Sequence, residues 1–194
     1  MGVHEDDFIE HLVSTSTHDV LLFFTNAGKV YRMKGYEIPE YSRTAKGIPV
    51  INLLGIDSGE SIQAVINIGR GNGDEDNEHR YLFFTTLQGV AKRTPVAEFM
   101  NIRSNGLKAI NLKDGDEVIN VVITDGHQNI IIGTHNGYAI SFKEGEVRSM
   151  GRSATGVRGI RLRENDYVVG SAVLAPESKV LVITEKGYGK QTPA

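Results

Sequence analysis

Cysteine is absent from the 194 residues of the chain. Disulfide bridges, thiolate metal sites and a thiol nucleophile are therefore excluded. Long apolar runs are also missing: runs such as 20–24 and the three Ile within 129–132 have the length of strands, well short of the ~20 residues of a membrane-spanning helix. The acidic segment 1–7 lacks the charge and apolar core of a signal peptide. These features fit a cytoplasmic protein that has no membrane partner.

Positive charge is not in excess either, since the formal net charge is −3 at pH 7. Taken alone, a negative total argues against a nucleic-acid partner. Seven acidic residues, however, lie in the two short runs 5–7 and 74–78, and the chain would carry +4 without them. This distribution is compatible with DNA binding but does not require it.

The chain does contain a repeat. One phrase, an apolar run followed by Thr, two residues and Gly, occurs four times, and its glycines are 61, 48 and 50 residues apart, at Gly28, Gly89, Gly137 and Gly187. A second phrase, Gly-x-x-x-Ile-x-Leu, alternates with the first and begins at Gly47, Gly106 and Gly156. Two phrases that share one period of about 50 residues predict a repeat architecture.

The repeating units are predicted to consist of β-strands. Val, Ile, Phe, Tyr and Thr fill the apolar runs, and no segment shows a sustained helical period. The Thr-x-x-Gly segments are predicted hairpin turns with Gly at positive φ. The first repeat then holds four strands, at about 20–25, 29–34, 48–53 and 62–68. Units of four strands that recur every ~40–50 residues are typical of propeller blades.

The first spacing is longer than the others because of residues 69–79. This segment is rich in Gly and acidic residues and contains no apolar side chain. We interpret it as a mobile loop inserted between two strands.

Four phrases of the sequence resemble the C-terminal domain of the A subunit of DNA gyrase: 22–31, 46–50, 151–157 and 184–190. The resemblance extends from about Glu5 to Pro193. The A subunit of topoisomerase IV is similar, but its repeats are more degenerate, so the regularity of this chain favours gyrase. The resemblance implies an all-β fold, a β-pinwheel, which is a propeller-like disc whose blades exchange strands with their neighbours.

The complete domain of this family has more blades than this sequence can form. Six blades are typical, so residues 1–194 are expected to be a single pinwheel fragment with about four four-stranded blades of a larger disc. We expect repeats at about 5–60, 61–115, 116–165 and 166–194, of which the last is incomplete. The family's basic heptapeptide, Gln-Arg-Arg-Gly-Gly-x-Gly, is absent from the sequence. We therefore expect the fragment to bend DNA without completing the family's wrap.

The resemblance also implies a function. DNA wraps, without sequence preference, around the basic rim of the disc. The parent protein is an ATP-dependent type II topoisomerase of the bacterial cytoplasm and nucleoid that introduces negative supercoils. Its partners are double-stranded DNA, the N-terminal breakage-reunion domain and the B subunit of gyrase, in a heterotetramer. ATP and Mg²⁺ bind elsewhere in that assembly, so this fragment is expected to hold no cofactor and to carry out no catalysis itself.

Lys and Arg recur at equivalent repeat positions. Three of the four repeats have a cation three or four residues after the turn glycine, and others flank the second phrase. Phosphate contacts supply most non-specific DNA affinity, and a radial repeat places equivalent residues on one rim. The predicted DNA-binding residues are Lys29, Arg32, Lys34, Arg43, Lys46, Lys92, Arg93, Arg103, Lys108, Arg152, Arg158 and Lys190. The alternative is that these are ordinary solvated side chains.

Other motifs favour structural roles. Arg80-Tyr81 matches the pair with which gyrase-type enzymes attack DNA, but here it opens an apolar strand, and the family's nucleophile lies in a separate N-terminal region. The segment 69–73 lacks the third glycine and the following helix of a nucleotide-binding loop. The six His have no metal-binding spacing. No catalytic or metal site is therefore expected.

Two other classes of function remain open for a propeller. A protein-interaction module would show exposed aromatic anchors, whereas this chain has no Trp and repeated cations. An enzyme would show His or carboxylates converging from equivalent repeat positions, and the sequence has none. Salt-dependent DNA binding would distinguish the DNA-wrapping hypothesis from both.

Overall fold

Hairpins account for most of the structure. The computed structural model describes residues 11–40, 50–70, 77, 79–102 and 106–193. Within these residues the strands are β1 (Val20–Thr25), β2 (Lys29–Lys34), β3 (Ile62–Asn67), β4 (Tyr81–Thr86), β5 (Val90–Pro95), β6 (Leu107–Lys108), β7 (Val118–Thr124), β8 (Asn129–Thr134), β9 (Ala139–Lys143), β10 (Val157–Arg158), β11 (Val168–Leu174), β12 (Lys179–Ile183) and β13 (Gly189–Pro193). The helices are short: α1 (Val50–Leu54), α2 (Ala97–Met100) and the 3-10 turns Gly35–Glu37 and Glu144–Glu146. No helix in the described part of the chain is long and apolar enough to span a membrane.

Consecutive sheets exchange strands. Sheet 1 has the order β3-β1-β2-β6, sheet 2 β7-β4-β5-β10, sheet 3 β11-β8-β9, and sheet 4 is the hairpin β12-β13. The outermost strands β6 and β10 come from the repeat that follows, and each pairs antiparallel with the second strand of the preceding sheet. We call β6 and β10, with the chain that leads into and out of them (106–113 and 151–163), the exchanged segments. The all-β, strand-exchanging fold is thus confirmed.

The predicted hairpin turns are confirmed. All four turn glycines have φ between 78° and 85°, in the left-handed region that favours glycine. Each glycine N–H donates to the carbonyl of the Thr three residues earlier, over 2.9–3.1 Å. The Thr hydroxyl in turn accepts the N–H of the residue after the glycine, over 3.0–3.3 Å. These paired bonds explain why the phrase requires both Thr and Gly.

Apolar side chains on both faces of the inner strands form the core. Leu22 and Phe24 of β1 pack with Phe84 and Phe99 between sheets 1 and 2, where the Phe24 ring meets the Phe84 ring edge-on at 5.3 Å. Phe83 points the other way, into a second cluster shared with sheet 3. Because β1 and β4 are covered on both sides, their sequences open on continuous apolar runs that do not alternate with polar residues.

The predicted strand at 48–53 is wrong for its described part, which forms helix α1. In the two later repeats the equivalent residues form β6 and β10 by pairing with a preceding sheet. Among the described residues no sheet precedes β1, so the first copy has no edge to pair with. Leu54 packs instead, with Ile56, against Phe23 and Tyr31.

The predicted repeat boundaries do not coincide with the boundaries of the sheets. Residues 60, 115 and 165 each lie just before the strand that completes a sheet, which is β3, β7 or β11. A sequence period fixes the spacing of equivalent residues but not the point at which a unit begins. Most of the predicted loop at 69–79, namely 71–76 and 78, lies outside the described residues.

Candidate nucleic-acid interface

The exchanged strands place cations on the outermost edges of sheets 1 and 2. Lys108 is the second residue of β6, Arg158 is the second residue of β10, and both are exposed. They occupy equivalent positions, because β6 pairs with β2 as β10 pairs with β5. Two of the predicted DNA-binding residues are thus presented to solvent in the same way by two successive sheets.

Three further exposed cations continue this surface. Lys113 follows β6, and Arg161 and Arg163 follow β10. We define the rim cations as Lys108, Lys113, Arg158, Arg161 and Arg163. The sequence prediction missed Lys113, Arg161 and Arg163. For Lys113 and Arg163 the second phrase contains a signal, because a cation directly follows its final Leu in both later copies. Arg161 gives no such signal, since its equivalent in the other copy is Asn111.

Lys29 lies opposite Lys108 across the β2–β6 pairing, but carboxylates compensate its charge. Its Nζ contacts Asp57 Oδ2 and lies 2.9 Å from Glu60 Oε1, and these two carboxylates raise the pKa of Lys29. Lys108 Nζ donates to the neutral side chain of Asn111 over 3.3 Å. The structure therefore leaves Lys108, rather than Lys29, as the cation of this pair available to a phosphate.

The predicted rim position of Lys92 is wrong. Its side chain is completely buried, and Nζ donates to the backbone carbonyls of Ala109 and Arg152 over 2.6 and 2.7 Å. On β5 the residue three positions after the turn glycine points between sheets, as does the buried Tyr31 of β2. The repeat marks Lys92 as equivalent to other cations, but the exchanged segments cover it.

Burial lowers the pKa of Lys92 to about 8, while Glu98 acts to raise it and Arg152 to lower it further. Because the unfolded chain holds this proton up to the ordinary pKa of 10.5, Lys92 makes the folded state more stable as pH rises from about 8 to about 10.5. Below that window the buried charge opposes folding in full.

Arg93 is largely turned inward as well. Its side chain is 11% exposed, its guanidinium lies 4.4 Å from the centre of the Tyr81 ring, and Nη1 is 4.0 Å from Glu144 Oε2. Glu144 is fully buried and also accepts hydrogen bonds from the Thr124 hydroxyl and the Gln128 N–H, at 2.5 and 2.9 Å. Arg93 therefore joins sheets 2 and 3 and has little surface left for DNA.

We expect Glu144→Gln to lower the free energy of unfolding by about 2–3 kcal/mol, because it leaves the guanidinium of Arg93 buried beside a neutral group. Urea unfolding measures the change. Glu146→Gln is the matched control: this exposed residue belongs to the same 3-10 turn, and its loss should cost under ~0.5 kcal/mol. Equal losses in the two variants would show that the Arg93–Glu144 contact does not stabilise the fold.

The other predicted residues have varied positions. Arg32 and Lys34 on β2 are half-buried, Arg152 is half-buried, and Lys190 is exposed on β13. Lys34 Nζ lies 5.6 Å from the centre of the Tyr36 ring. Arg43, Lys46 and Arg103 lie outside the described residues. The structure thus gathers part of the predicted set, with the rim cations it adds, on the exchanged segments.

The acidic turns near the rim cations are bound to the backbone. Asp116 Oδ1 accepts the N–H groups of Gln88 and Glu117, and Asp166 Oδ1 accepts those of Asn136 and Tyr167, at 2.9–3.0 Å. Each of these carboxylates joins a hairpin turn to the strand that completes the same sheet, β7 or β11, and backbone dipoles offset its charge. In the described ranges, no three His or acidic side chains come together as a metal site would need.

Comparison with known families gives one model that matches most of the chain. It is described as "DNA gyrase C-terminal domain, beta-propeller" and matches residues 19–68, 80–125, 128–175 and 178–194. The first three segments each contain the hairpin and the completing strand of one sheet. The second and third also contain the exchanged strand, β6 or β10, that joins the preceding sheet, and the last segment covers β12-β13.

The curated relatives are A subunits of DNA gyrase. The chain is 62% identical over 154 residues to that of Streptococcus pneumoniae and 59% identical over 154 residues to that of Streptococcus pyogenes, and each match covers 79% of this chain. It is 56% identical over 157 residues, or 81% of its length, to the gyrase protein of Halalkalibacterium halodurans. The match spans 18% of the length of each relative.

Solved structures of two related domains have the same fold. The C-terminal domain of DNA topoisomerase IV superposes with a TM-score of 0.81 at 37% identity, covering 90% of this chain and 53% of that one. The DNA gyrase A C-terminal domain gives a TM-score of 0.71 at 28% identity, covering 91% and 55%.

Proposed function

The chain belongs to the DNA gyrase C-terminal domain family, and from this we propose that it binds and bends duplex DNA along its exchanged segments, without sequence preference. The observation that carries the proposal is the equivalent, exposed placement of Lys108 and Arg158 on successive sheets, each extended by further rim cations. Cations at equivalent positions of consecutive units suit a regularly charged polymer, because phosphates recur at a fixed interval along the duplex.

The lack of sequence preference follows from the same surface. Base edges are read by a helix or a β-ribbon that enters the major groove. Helices α1 and α2 have five and four residues, and β6 and β10 have two each. These elements suit contacts to the phosphate backbone, which set position and affinity without reading bases.

In the longer protein, we propose that this region contributes to DNA wrapping by the A subunit of gyrase in the bacterial cytoplasm, and so to ATP-dependent negative supercoiling together with the B subunit. The 56–62% identity to gyrase proteins favours this role. Topoisomerase IV is the second candidate, because its C-terminal domain superposes well. Bending a short duplex strongly costs several kcal/mol, so either role needs contacts on more than one sheet.

We expect the chain to bind linear duplex DNA with an affinity that falls steeply as salt rises. If three to five rim cations each neutralise a phosphate, the slope of log K against log salt is about −3 to −5. Fluorescence anisotropy with labelled duplexes at several salt concentrations measures the slope, and unrelated sequences of equal length should bind within about twofold. An affinity unchanged between ~50 and ~200 mM salt would contradict the proposal.

DNA bending is tested with the same protein by adding it to relaxed circular plasmid and a nicking-closing enzyme and counting the supercoils that it constrains. The chain covers 53% of the solved topoisomerase IV domain, so it should constrain some supercoils but fewer per molecule than a complete gyrase C-terminal domain. Equal numbers would show that this part alone completes the wrap.

A further inference from the structure

Lys92 is neither an apolar core residue nor a solvated surface cation, because its buried ammonium group makes its contacts within the protein. Its Nζ donates to two backbone carbonyls, at Ala109 and Arg152, and lies 5.3 Å from the centre of the Phe84 ring. The side chain is 0% exposed. A buried ammonium is costly unless its hydrogen bonds are made within the protein, and here two strong acceptors and an aromatic face replace water.

The two carbonyls belong to different exchanged segments. Ala109 directly follows Lys108 of β6, which completes sheet 1, whereas Arg152 lies in the segment that leads into β10, which completes sheet 2. The Asn111 N–H also donates to the Ala154 carbonyl over 3.1 Å, so the two segments run side by side. We call the line along which 109–111 and 152–154 meet the seam. Lys92 lies beneath the seam and donates a hydrogen bond to each of its sides.

The segment that leads into β10 is fitted closely over Lys92. A Cβ on Gly156, which precedes β10, would lie 3.1 Å from Lys92 Cβ and 2.6 Å from the Ala91 carbonyl oxygen. In sheet 1 the equivalent Tyr31 lies under Gly106, which precedes β6, in the same way. Both sheets therefore use this strand position to seat the exchanged strand that carries a rim cation.

We propose that Lys92 is a positioning residue for the rim: by holding the carbonyls of Ala109 and Arg152 it fixes the spacing between the segments that carry Lys108 and Arg158. This inference rests on the proposed function, because the rim is where DNA is proposed to bind. Lys92 touches no phosphate in this arrangement. It acts through the geometry of the cations above it, so that they meet DNA already in place.

The test compares Lys92→Met with two controls. Lys92→Met keeps the length of the side chain but removes the donor. Lys179→Met removes one exposed charge from β12, and Val20→Ala weakens the core where Val20 pairs with Lys34, at the end of the β1–β2 hairpin remote from its turn. DNA affinity and its salt slope are measured by anisotropy, and hydrogen exchange is measured on the free protein.

For Lys92→Met we expect DNA binding to weaken roughly three- to tenfold, the scale of losing the preorganisation of one or two interface side chains. The salt slope should not change, because no phosphate contact is lost. The amides of Ala109 and Asn111, which bond Gly28 and Ala154, should exchange faster, while those of β1 should not. Both controls should bind DNA within about twofold of the unsubstituted chain.

Several results would overturn the inference. Unchanged affinity in folded Lys92→Met removes the positioning role, and a salt slope smaller by about one indicates a direct phosphate contact instead. Unchanged hydrogen exchange at the amides of Ala109 and Asn111 shows that Lys92 does not hold the seam, whether or not DNA affinity changes. If Lys92→Met does not fold, Lys92→Gln is measured instead: its amide nitrogen stands one bond closer to the backbone than Nζ and reaches the two carbonyls less well, so it must show the same pattern. Failure of the unsubstituted chain to bind DNA contradicts the proposed function but leaves the exchange result as a test of the seam.

Discussion

Gly89→Ala should lower the free energy of unfolding by about 3–4 kcal/mol, whereas Gly137→Ala should lower it by about 1 kcal/mol. Both glycines hold the same turn position, with φ of 84° and 85°, so an L-residue meets the same backbone strain at each. They differ in what covers them. A Cβ on Gly89 would lie 2.9 Å from the Ile160 carbonyl oxygen and 2.9 Å from Ile160 Cγ2, whereas nothing lies within 4 Å of a Cβ on Gly137.

The pair therefore separates the strain of the turn from the fit of the exchanged segment. The Gly89 N–H closes its own turn, and its carbonyl accepts N–H bonds from Gly159 and Ile160 at 2.8 and 3.2 Å. An alanine pushes this segment away and weakens both bonds. Urea unfolding of the two variants gives the comparison. Equal losses would mean that the exchanged segment moves aside at little cost and does not contribute to stability at this point.

The parts of the fold that could be predicted are those determined by residues close in sequence. A hairpin turn needs Thr and Gly three residues apart, and the sequence shows both in all four copies. The apolar run before the first hairpin turn and the segment after that turn predicted β1 and β2 at the residues where they occur. Local chemistry fixes these elements, so a single sequence is sufficient to locate them.

The parts that could not be predicted depend on the neighbouring unit. In the first copy of the second phrase the described residues, 50–53, lie in α1, and the later copies form β6 and β10, although the three phrases are alike. What differs is whether a preceding sheet offers an edge. Residue periodicity identifies equivalent positions but carries no information about which partner each position meets.

Lys92 shows the same limit at the site. The repeat aligns it with Lys190, and a Lys in a strand is usually solvent-exposed. In the structure Lys92 is buried because the two exchanged segments run side by side above it, whereas Lys190 is exposed on β13. Rim cations such as Arg161 were missed for a different reason. Arg161 lies within the second phrase and Arg163 directly follows it, and neither phrase indicates that the exchanged segments form the outer edge of the sheets.

Removing three rim cations together should have the largest effect on DNA binding. We expect Lys108→Gln with Arg158→Gln and Arg161→Gln to weaken duplex binding at low salt by about 30- to 150-fold, at roughly 0.7–1 kcal/mol for each phosphate contact. The slope of log K against log salt should shrink by about three, since each lost contact no longer releases counterions. All three side chains are exposed, so the unfolding free energy should change by under ~0.5 kcal/mol per residue.

The matched control removes the same charge elsewhere: Lys143→Gln with Arg148→Gln and Lys179→Gln. These residues are also exposed but lie outside the exchanged segments; in the strand registers, Lys143 and Lys179 pair with Asn129 and Pro193, at the ends of their hairpins remote from the turns. Lys108 pairs with Lys29 beside a turn. If only total charge mattered, both triple variants would lose the same affinity and slope. We expect the control, measured at the same salt as the rim variant, to lose less than about fivefold, because charges that contact no phosphate act on DNA only at a distance and release no counterions. Equal losses of DNA affinity in the two triple variants would mean that DNA binds a different surface or binds without a defined site. Either result would contradict a path along the exchanged strands.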